Sequence, residues 1–175
     1  MEKRFVQVYT GDGKGKTTAA LGLALRAAGW GYKILFVQFL KGQHSGEVES
    51  IKFLKNIELL KIGAIDKFTW QLTEEEYKAV YDKVQREWSN LIKTLKNSNY
   101  DIIVLDEILG TIKSGLVTEE QVCSLIDENR DKVEIVLTGR NLTENLKDKA
   151  DLLTEMKNVR HYYQKGVKNR KGIEK

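Results

Sequence analysis

Between Thr10 and Thr18 the chain reads TGDGKGKTT, which places three glycines, two lysines and three threonine hydroxyls in one short segment. Those residue types suit phosphate. Glycines open the backbone so that N–H groups surround the anion, a lysine adds a point charge, and a hydroxyl can reach a magnesium ion. Gly15, Lys16 and Thr17 match the end of the G-x-x-x-x-G-K-[ST] pattern of a P-loop, while its leading position holds Thr10 instead of Gly. The run Phe5–Tyr9 before the segment reads as a strand and Thr17–Ala28 after it as a helix, whose N-terminus adds its dipole to the open N–H groups. Thr10, Gly11, Asp12, Gly13, Lys14, Gly15, Lys16, Thr17 and Thr18 are therefore the candidate triphosphate site. Asp12 would repel such a ligand unless a cation or an outward rotamer intervenes, and Lys14 is the nearby charge able to offset it.

A phosphate loop of this kind calls for an acid at the end of a buried strand, to hold magnesium or manganese directly or through water. The run IIVLDE, Ile102 to Glu107, supplies four apolar residues followed by Asp106 and Glu107, as in a Walker B strand. Thr17, Asp106 and Glu107 are the candidate metal residues, and Lys16 and Glu107 the candidate catalytic pair. A further strand ends in LTGR, where Arg140 can meet a phosphate oxygen. His44 and His161 stand alone in the sequence and read as loop or packed residues, outside any kinase or hydrolase constellation. Chemistry on this triphosphate is thus expected to need no protein base.

The elements that must position these residues follow from periodicity. Phe5–Tyr9, Ile34–Phe39, Ile57–Ile62, Asp101–Asp106 and Glu134–Thr138 have the aliphatic, β-branched content of buried strands, and Asp151–Met156 is a candidate sixth. Thr73–Lys96 opens with a capping box, Thr73 and Glu76, and carries Tyr77, Val80, Val84, Trp88, Leu91, Ile92 and Leu95 at helical spacing. A second box, Thr118 and Gln121, opens another helix, and Thr143 is a plausible cap for a third. Strands alternating with helices predict an α/β fold of the RecA-like P-loop kind, a mostly parallel sheet with helices on both faces and ligands at the carboxyl ends of its strands.

The 175 residues, 41% hydrophobic, suit a single domain over 1–175. No apolar run is long enough for a bilayer, and no signal-peptide block precedes the first strand, so a cytoplasmic location and no membrane partner are expected. Cys123, the one cysteine, sits among Val122, Leu125 and Ile126 and reads as a buried structural thiol. Charge is uneven. The net +4 arises because Lys157 to Lys175 holds seven Lys/Arg against one Glu, leaving −2 on the preceding residues. That tail is either a solvated terminus or an anion-binding flap. Only Tyr162 and Tyr163 interleave with its charges, too few for a stacking platform, which argues against a RecA-like nucleic-acid binder. Another P-loop kinase or ATPase remains the enzyme alternative.

Taken in order, the segments TGDGKGKTTAALGLALRAAGWG, VQFLKG at Val37–Gly42, FTW at Phe68–Trp70, VLDE at Val104–Glu107, LTGR at Leu137–Arg140, ADLLTEM at Ala150–Met156 and GVKNRKGIE at Gly166–Glu174 resemble the ATP:corrinoid adenosyltransferases of the CobA/BtuR type. The resemblance runs from about Gln7 to Glu174. It implies transfer of the 5′-deoxyadenosyl group of ATP to a reduced corrinoid cobalt with release of triphosphate. It also implies that Lys16 and its loop hold the triphosphate, that Thr17 and Glu107 serve the metal with Asp106 nearby, and that Arg26 and Arg140 contact phosphate. Phe68 and Trp70 correspond to aromatic residues lining the corrinoid, pressing on its lower side and excluding an axial ligand of cobalt(II); they alternate around Thr69, so in an extended segment both side chains fall on one face. A homodimer and an electron-donating flavoprotein reductase are further implications. Asp12 stands where many relatives have Asn, and the loop Lys41–Glu47, less closely matched, is a candidate for substrate contact.

Overall fold

Apolar runs bounded by polar turns become the buried central strands here, because each is apolar on both faces and must be covered on both. A computed structural model describes residues 3–42 and 45–174. In chain order the elements are β1 (Val6–Thr10), α1 (Lys16–Gly29), β2 (Ile34–Lys41), α2 (Gly46–Ile51), β3 (Ile57–Ile65), α3 (Glu74–Lys96), β4 (Ile102–Asp106), α4 (Ile108–Lys113), α5 (Glu119–Asn129), β5 (Glu134–Thr138), α6 (Glu144–Lys149) and β6 (Leu152–Glu155). Six strands form one sheet in the order β3-β2-β4-β5-β1-β6. Every neighbouring pair is parallel, so the sheet is wholly rather than mostly parallel.

Alternation along each strand divides the side chains between two cores. Leu35, Val37, Phe39, Ile103, Leu105, Ile135 and Leu137 face the helical layer containing Val84, Trp88, Leu91 and Leu95 of α3 and Val122, Leu125 and Ile126 of α5. Ile34, Phe36, Ile102, Val104 and Val136 face Ala20, Ala24 and Ala27 of α1. The alanines have no bulk to hold α1 away from the sheet, so its first turn sits directly over the strand ends. Cys123 packs against the first core but is only partly buried, because it lies on the outer side of α5.

Two expected capping boxes are formed: Thr73 Oγ1 accepts from Glu76 N at 3.2 Å, and Thr118 Oγ1 from Gln121 N at 3.2 Å, each with the reciprocal bond. The third cap is not. Thr143 precedes α6, but its hydroxyl is taken by the Glu119 carboxylate instead of a helix N–H. Strand β3 runs three residues past its predicted end at Ile62, because Gly63, with φ of 62°, leaves room for Val84 of α3 and donates its N–H to Glu87 Oε2 at 2.6 Å. Strand β6 is an edge strand paired only to β1 among the described residues, and all four of its residues are exposed.

Candidate functional site

All four central strands deliver their carboxyl ends to one side, and a cleft of about 1100 Å³ opens there, between the glycine segment and the tail. The segment after β1 turns at Gly11 and Gly15, both at positive φ, and enters α1 at Lys16. Lys16 is 8% exposed; its Nζ donates to the carbonyls of Gly11 at 2.7 Å and Gly13 at 2.8 Å. Burial lowers its pKa, and the nearby Glu107 charge works in the opposite direction. The result is an ammonium group fixed inside the turn, with little water around it.

Below the turn, three elements converge on one carboxylate. Asp106 at the end of β4 is fully buried, and its Oδ1 accepts from Thr17 Oγ1 of α1 at 2.8 Å and from Thr138 Oγ1 of β5 at 2.7 Å. Its Oδ2 is buried without a hydrogen-bond partner. Burial pushes this carboxyl up, while the two hydroxyls pull it partly back. Glu107 follows in the left-handed region at φ of 64°, held by its N–H to Thr138 Oγ1 at 2.9 Å, and its side chain lines the cleft. A non-glycine residue rarely adopts that conformation; here Glu107 stands at the N-terminus of α4, with its carboxylate close enough to Lys16 for the two charges to interact. Its carboxyl is raised by burial and then by the Asp106 charge, with Lys16 opposing. Thr138, which ties both acids together, was not singled out in the sequence. Its position just before Gly139 and Arg140 at a strand end is the signal that could have found it.

On the rim, Asp12 is paired by Arg140 rather than by Lys14: Arg140 Nε lies 3.6 Å from Asp12 Oδ1, and its Nη2 donates to the Asp12 carbonyl at 3.3 Å. Both side chains are well exposed, so the pair contributes little to stability and leaves Arg140 free to move to a ligand. Lys14 is otherwise engaged, as described below. Lys41 and Glu47, from the end of β2 and the start of α2, form an ion pair that lines the same cleft. His44 lies outside the described residues. Arg26 is in the last turn of α1, ten residues beyond Lys16, which at 1.5 Å per residue places it about 15 Å along the axis. It does not line the cleft.

Phe68 and Trp70 were expected to share a face of an extended segment. Thr69–Gln71 is instead a 3₁₀ turn, yet the two rings meet, stacked at 4.4 Å and 7°. Phe68 is 61% exposed and Trp70 76%, which excludes ordinary core packing for either, and Phe68 borders the cleft.

Beyond β6 the chain crosses back over the glycine turn. Gly13 N donates to the Met156 carbonyl at 2.6 Å, and a Cβ on Gly13 would lie 2.7 Å from that oxygen. The glycine is needed there for the tail as well as for any anion. Farther on, Lys14 Nζ donates to Tyr162 Oη at 3.1 Å, to the Ile173 carbonyl at 3.2 Å and to Glu174 Oε1 at 3.0 Å. Tyr162 also hydrogen-bonds Glu174, and Arg170 covers the Tyr162 ring at 4.8 Å while pairing with Glu174 at 3.0 Å. Arg170 and Tyr162 hold the Glu174 carboxyl far below the usual range. The tail is therefore anchored to the glycine turn through Lys14, Tyr162 and Glu174, although most of its residues are exposed. Its docking charge is an acid, Glu174. Lys165, Lys168, Arg170 and Lys171 do not line the cleft, whereas Asn158, Gln164 and Asn169, which the sequence did not single out, do, together with His161, Tyr163, Gly172, Ile173 and Glu174. His161 accepts from Tyr163 N through Nδ1 at 3.1 Å.

Comparison with known proteins gives the family. Residues 2–174 match the family model described as ATP:corrinoid adenosyltransferase BtuR/CobO/CobP. The corrinoid adenosyltransferase of Escherichia coli K12 is 30% identical over 99% of this chain and 86% of its own length. That of Pseudomonas aeruginosa is 31% identical over 99% and 84%, and corrinoid adenosyltransferase CobA of Salmonella typhimurium is 31% identical over 99% and 86%. The match spans the glycine turn, both acids, the aromatic pair and the anchored tail alike, and on that basis the chain belongs to the ATP:corrinoid adenosyltransferase family of enzymes.

Proposed function

We propose that the whole chain acts as one domain that transfers the 5′-deoxyadenosyl group of ATP to the cobalt(I) of a corrinoid and releases inorganic triphosphate. The observation that carries this reading is a single cleft running from the buried Lys16 and its glycine turn to the exposed Phe68, on which Trp70 stacks outside the cleft. One end suits a polyphosphate, and the other suits a large flat apolar face. In the transfer, the cobalt(I) electron pair attacks C5′ of the ribose, the C5′–O bond breaks, and its electrons leave on the triphosphate oxygen. The nucleophile carries no proton, so no base is required. His161, with one ring nitrogen already bonded, is not asked to be one. The protein's contribution is positioning and stabilisation of leaving-group charge. Lys16 supplies a fixed positive charge, the loop N–H groups and the first turn of α1 supply dipoles, and Arg140 is free to swing in from Asp12.

The donor set also fits a magnesium or manganese ion. Asp106 Oδ2 is buried and unpartnered, the Thr17 hydroxyl is adjacent, and the Glu107 carboxylate faces the cleft, all hard oxygens. Among the described residues no cluster of three or more acids, histidines or cysteines gathers, which suits an ion that completes its shell with water and phosphate rather than a protein cage. Bound there, the ion would neutralise charge on the triphosphate. Glu107→Gln keeps the shape and removes the charge, so the magnesium concentration for half-maximal activity is expected to rise at least tenfold; an unchanged requirement would move the ligand role to Asp106 alone.

We further infer a homodimer, supplied with electrons by a flavoprotein reductase, in the cytoplasm. No described helix is long and apolar enough to cross a membrane. The decisive measurement is the phosphate product with ATP and a reduced corrinoid. Triphosphate in a one-to-one ratio with adenosylated corrinoid is expected; ADP, or orthophosphate with no alkylated cobalt, would instead mark a kinase or ATPase.

A further inference from the structure

The cleft has two chemically unlike walls. One wall consists of the glycine turn with Lys16, and Lys41 and Arg140 beside it, and it concentrates positive charge. The other wall is the tail. Although the tail is the most basic part of the chain, it gives the cleft no lysine or arginine: Asn158, His161, Tyr163, Gln164 and Asn169 line it, with Gly172, Ile173 and Glu174 at the end that meets Lys14. Apart from that acid and the apolar Ile173, the side chains are amides, an imidazole and a phenol ring. The basic groups are turned elsewhere, and Arg170 is committed to Tyr162 and Glu174.

Such a wall is poorly matched to phosphate and well matched to a nucleoside. Amides offer paired donors and acceptors of the kind that read the N6/N7 edge of adenine, ribose hydroxyls accept and donate to the same groups, and an exposed tyrosine ring offers a stacking surface. Tyr163 is 69% exposed, and its backbone N–H is fixed to His161 Nδ1, so the ring is available while its base is anchored. Lys14 clamps the wall to the phosphate side through Tyr162, the Ile173 carbonyl and Glu174, and the Gly13–Met156 bond clamps its start. The two walls are thereby held at fixed spacing.

The geometry points to the C-terminal segment 157–174 as the nucleoside-recognising wall, with Tyr163 and Gln164 the specificity-determining side chains for the adenosine half of ATP. This rests on the reading of the glycine turn as the triphosphate site, but not on corrinoid alkylation. It also explains why the tail's docking charge is an acid: Glu174 neutralises Lys14, so the flap is attached to the loop without adding a second cation beside the nucleoside.

The test compares two probes on the full-length chain by titration calorimetry with magnesium present: ATP, and inorganic triphosphate, which lacks the nucleoside. Tyr163→Ala and Gln164→Ala should each weaken ATP about tenfold, in the range expected for a lost base stack or amide pair, and leave triphosphate within twofold. Both side chains are exposed, and equal melting temperatures of variants and wild type will verify that the flap is still anchored. Equal weakening of the two probes would overturn the proposal, because the wall would then act on phosphate or on loop shape. Unchanged ATP affinity would overturn it as well; if corrinoid affinity fell instead, the wall would belong to the corrinoid side chains. A wild-type protein that binds ATP more tightly than triphosphate yet alkylates no corrinoid would defeat the proposed reaction and leave this assignment standing.

Discussion

Lys16→Ala should lower single-turnover adenosylation by at least about 100-fold, the usual cost of removing one fixed charge donor from a desolvated site. The residue is nearly buried, and its ammonium group already sits between two loop carbonyls, so little reorganisation is needed when charge develops on the leaving triphosphate. Stability should change much less. Burial lowers the Lys16 pKa, which means the folded protein pays to keep the group charged; deleting it relieves that cost while leaving the Gly11 and Gly13 carbonyls to find water. A thermal melt alongside the triphosphate assay separates the two effects. Turnover within a few fold of wild type would remove Lys16 and its turn from the leaving-group site.

Trp70→Ala should have the second-largest effect, and one that depends on the oxidation state supplied. The stack of Trp70 on Phe68 is worth about 0.5–1.5 kcal/mol, and with Trp70 mostly exposed its loss should leave the fold intact. ATP binding should be unchanged, since Trp70 does not line the cleft where the glycine turn lies. If the aromatic pair presses on the lower face of the corrinoid and excludes the axial ligand of cobalt(II), adenosylation driven by a biological reductant should fall at least tenfold, about 1.4 kcal/mol in barrier. Preformed cobalt(I) should restore most of the rate. Equal impairment with both cobalt forms would show that the ring does something other than remove the lower ligand.

How much of this was legible in the sequence depended on how local the cause was. The strands were legible because a buried parallel strand is apolar on both faces, and the capping boxes at Thr73 and Thr118 because both partners lie within one turn. The glycine turn and the acids after β4 were legible for the same reason. Thr143 failed as a cap because its competitor, Glu119, is 24 residues away. Asp12 was matched to its sequence neighbour Lys14, but the fold brings Arg140 from the end of β5 and sends Lys14 to the tail. Phe68 and Trp70 were recognised as a pair, whereas the 3₁₀ turn that stacks them was not, since alternation is a property of extended chain alone. The tail was least legible. Its net charge comes from lysines and arginines that do not line the cleft, and the cleft wall is formed mainly by uncharged residues between them.

The strand order bears on how the molecule comes into being. β1, the first strand of the sheet in chain order, is flanked in the finished sheet by β5 and β6, the last two. Its backbone hydrogen-bonding groups, and the turn that carries Lys16, therefore have no sheet neighbours until residues beyond Glu134 have been synthesised. Closing such a long loop is entropically expensive and slow. The glycine turn becomes rigid only when β6 docks and Met156 seals it against Gly13. A nascent or prematurely terminated chain can thus hold much of the β2–β3–β4 half of the sheet without a formed glycine turn, and under the proposed function nucleotide binding would be acquired as one of the last events of folding.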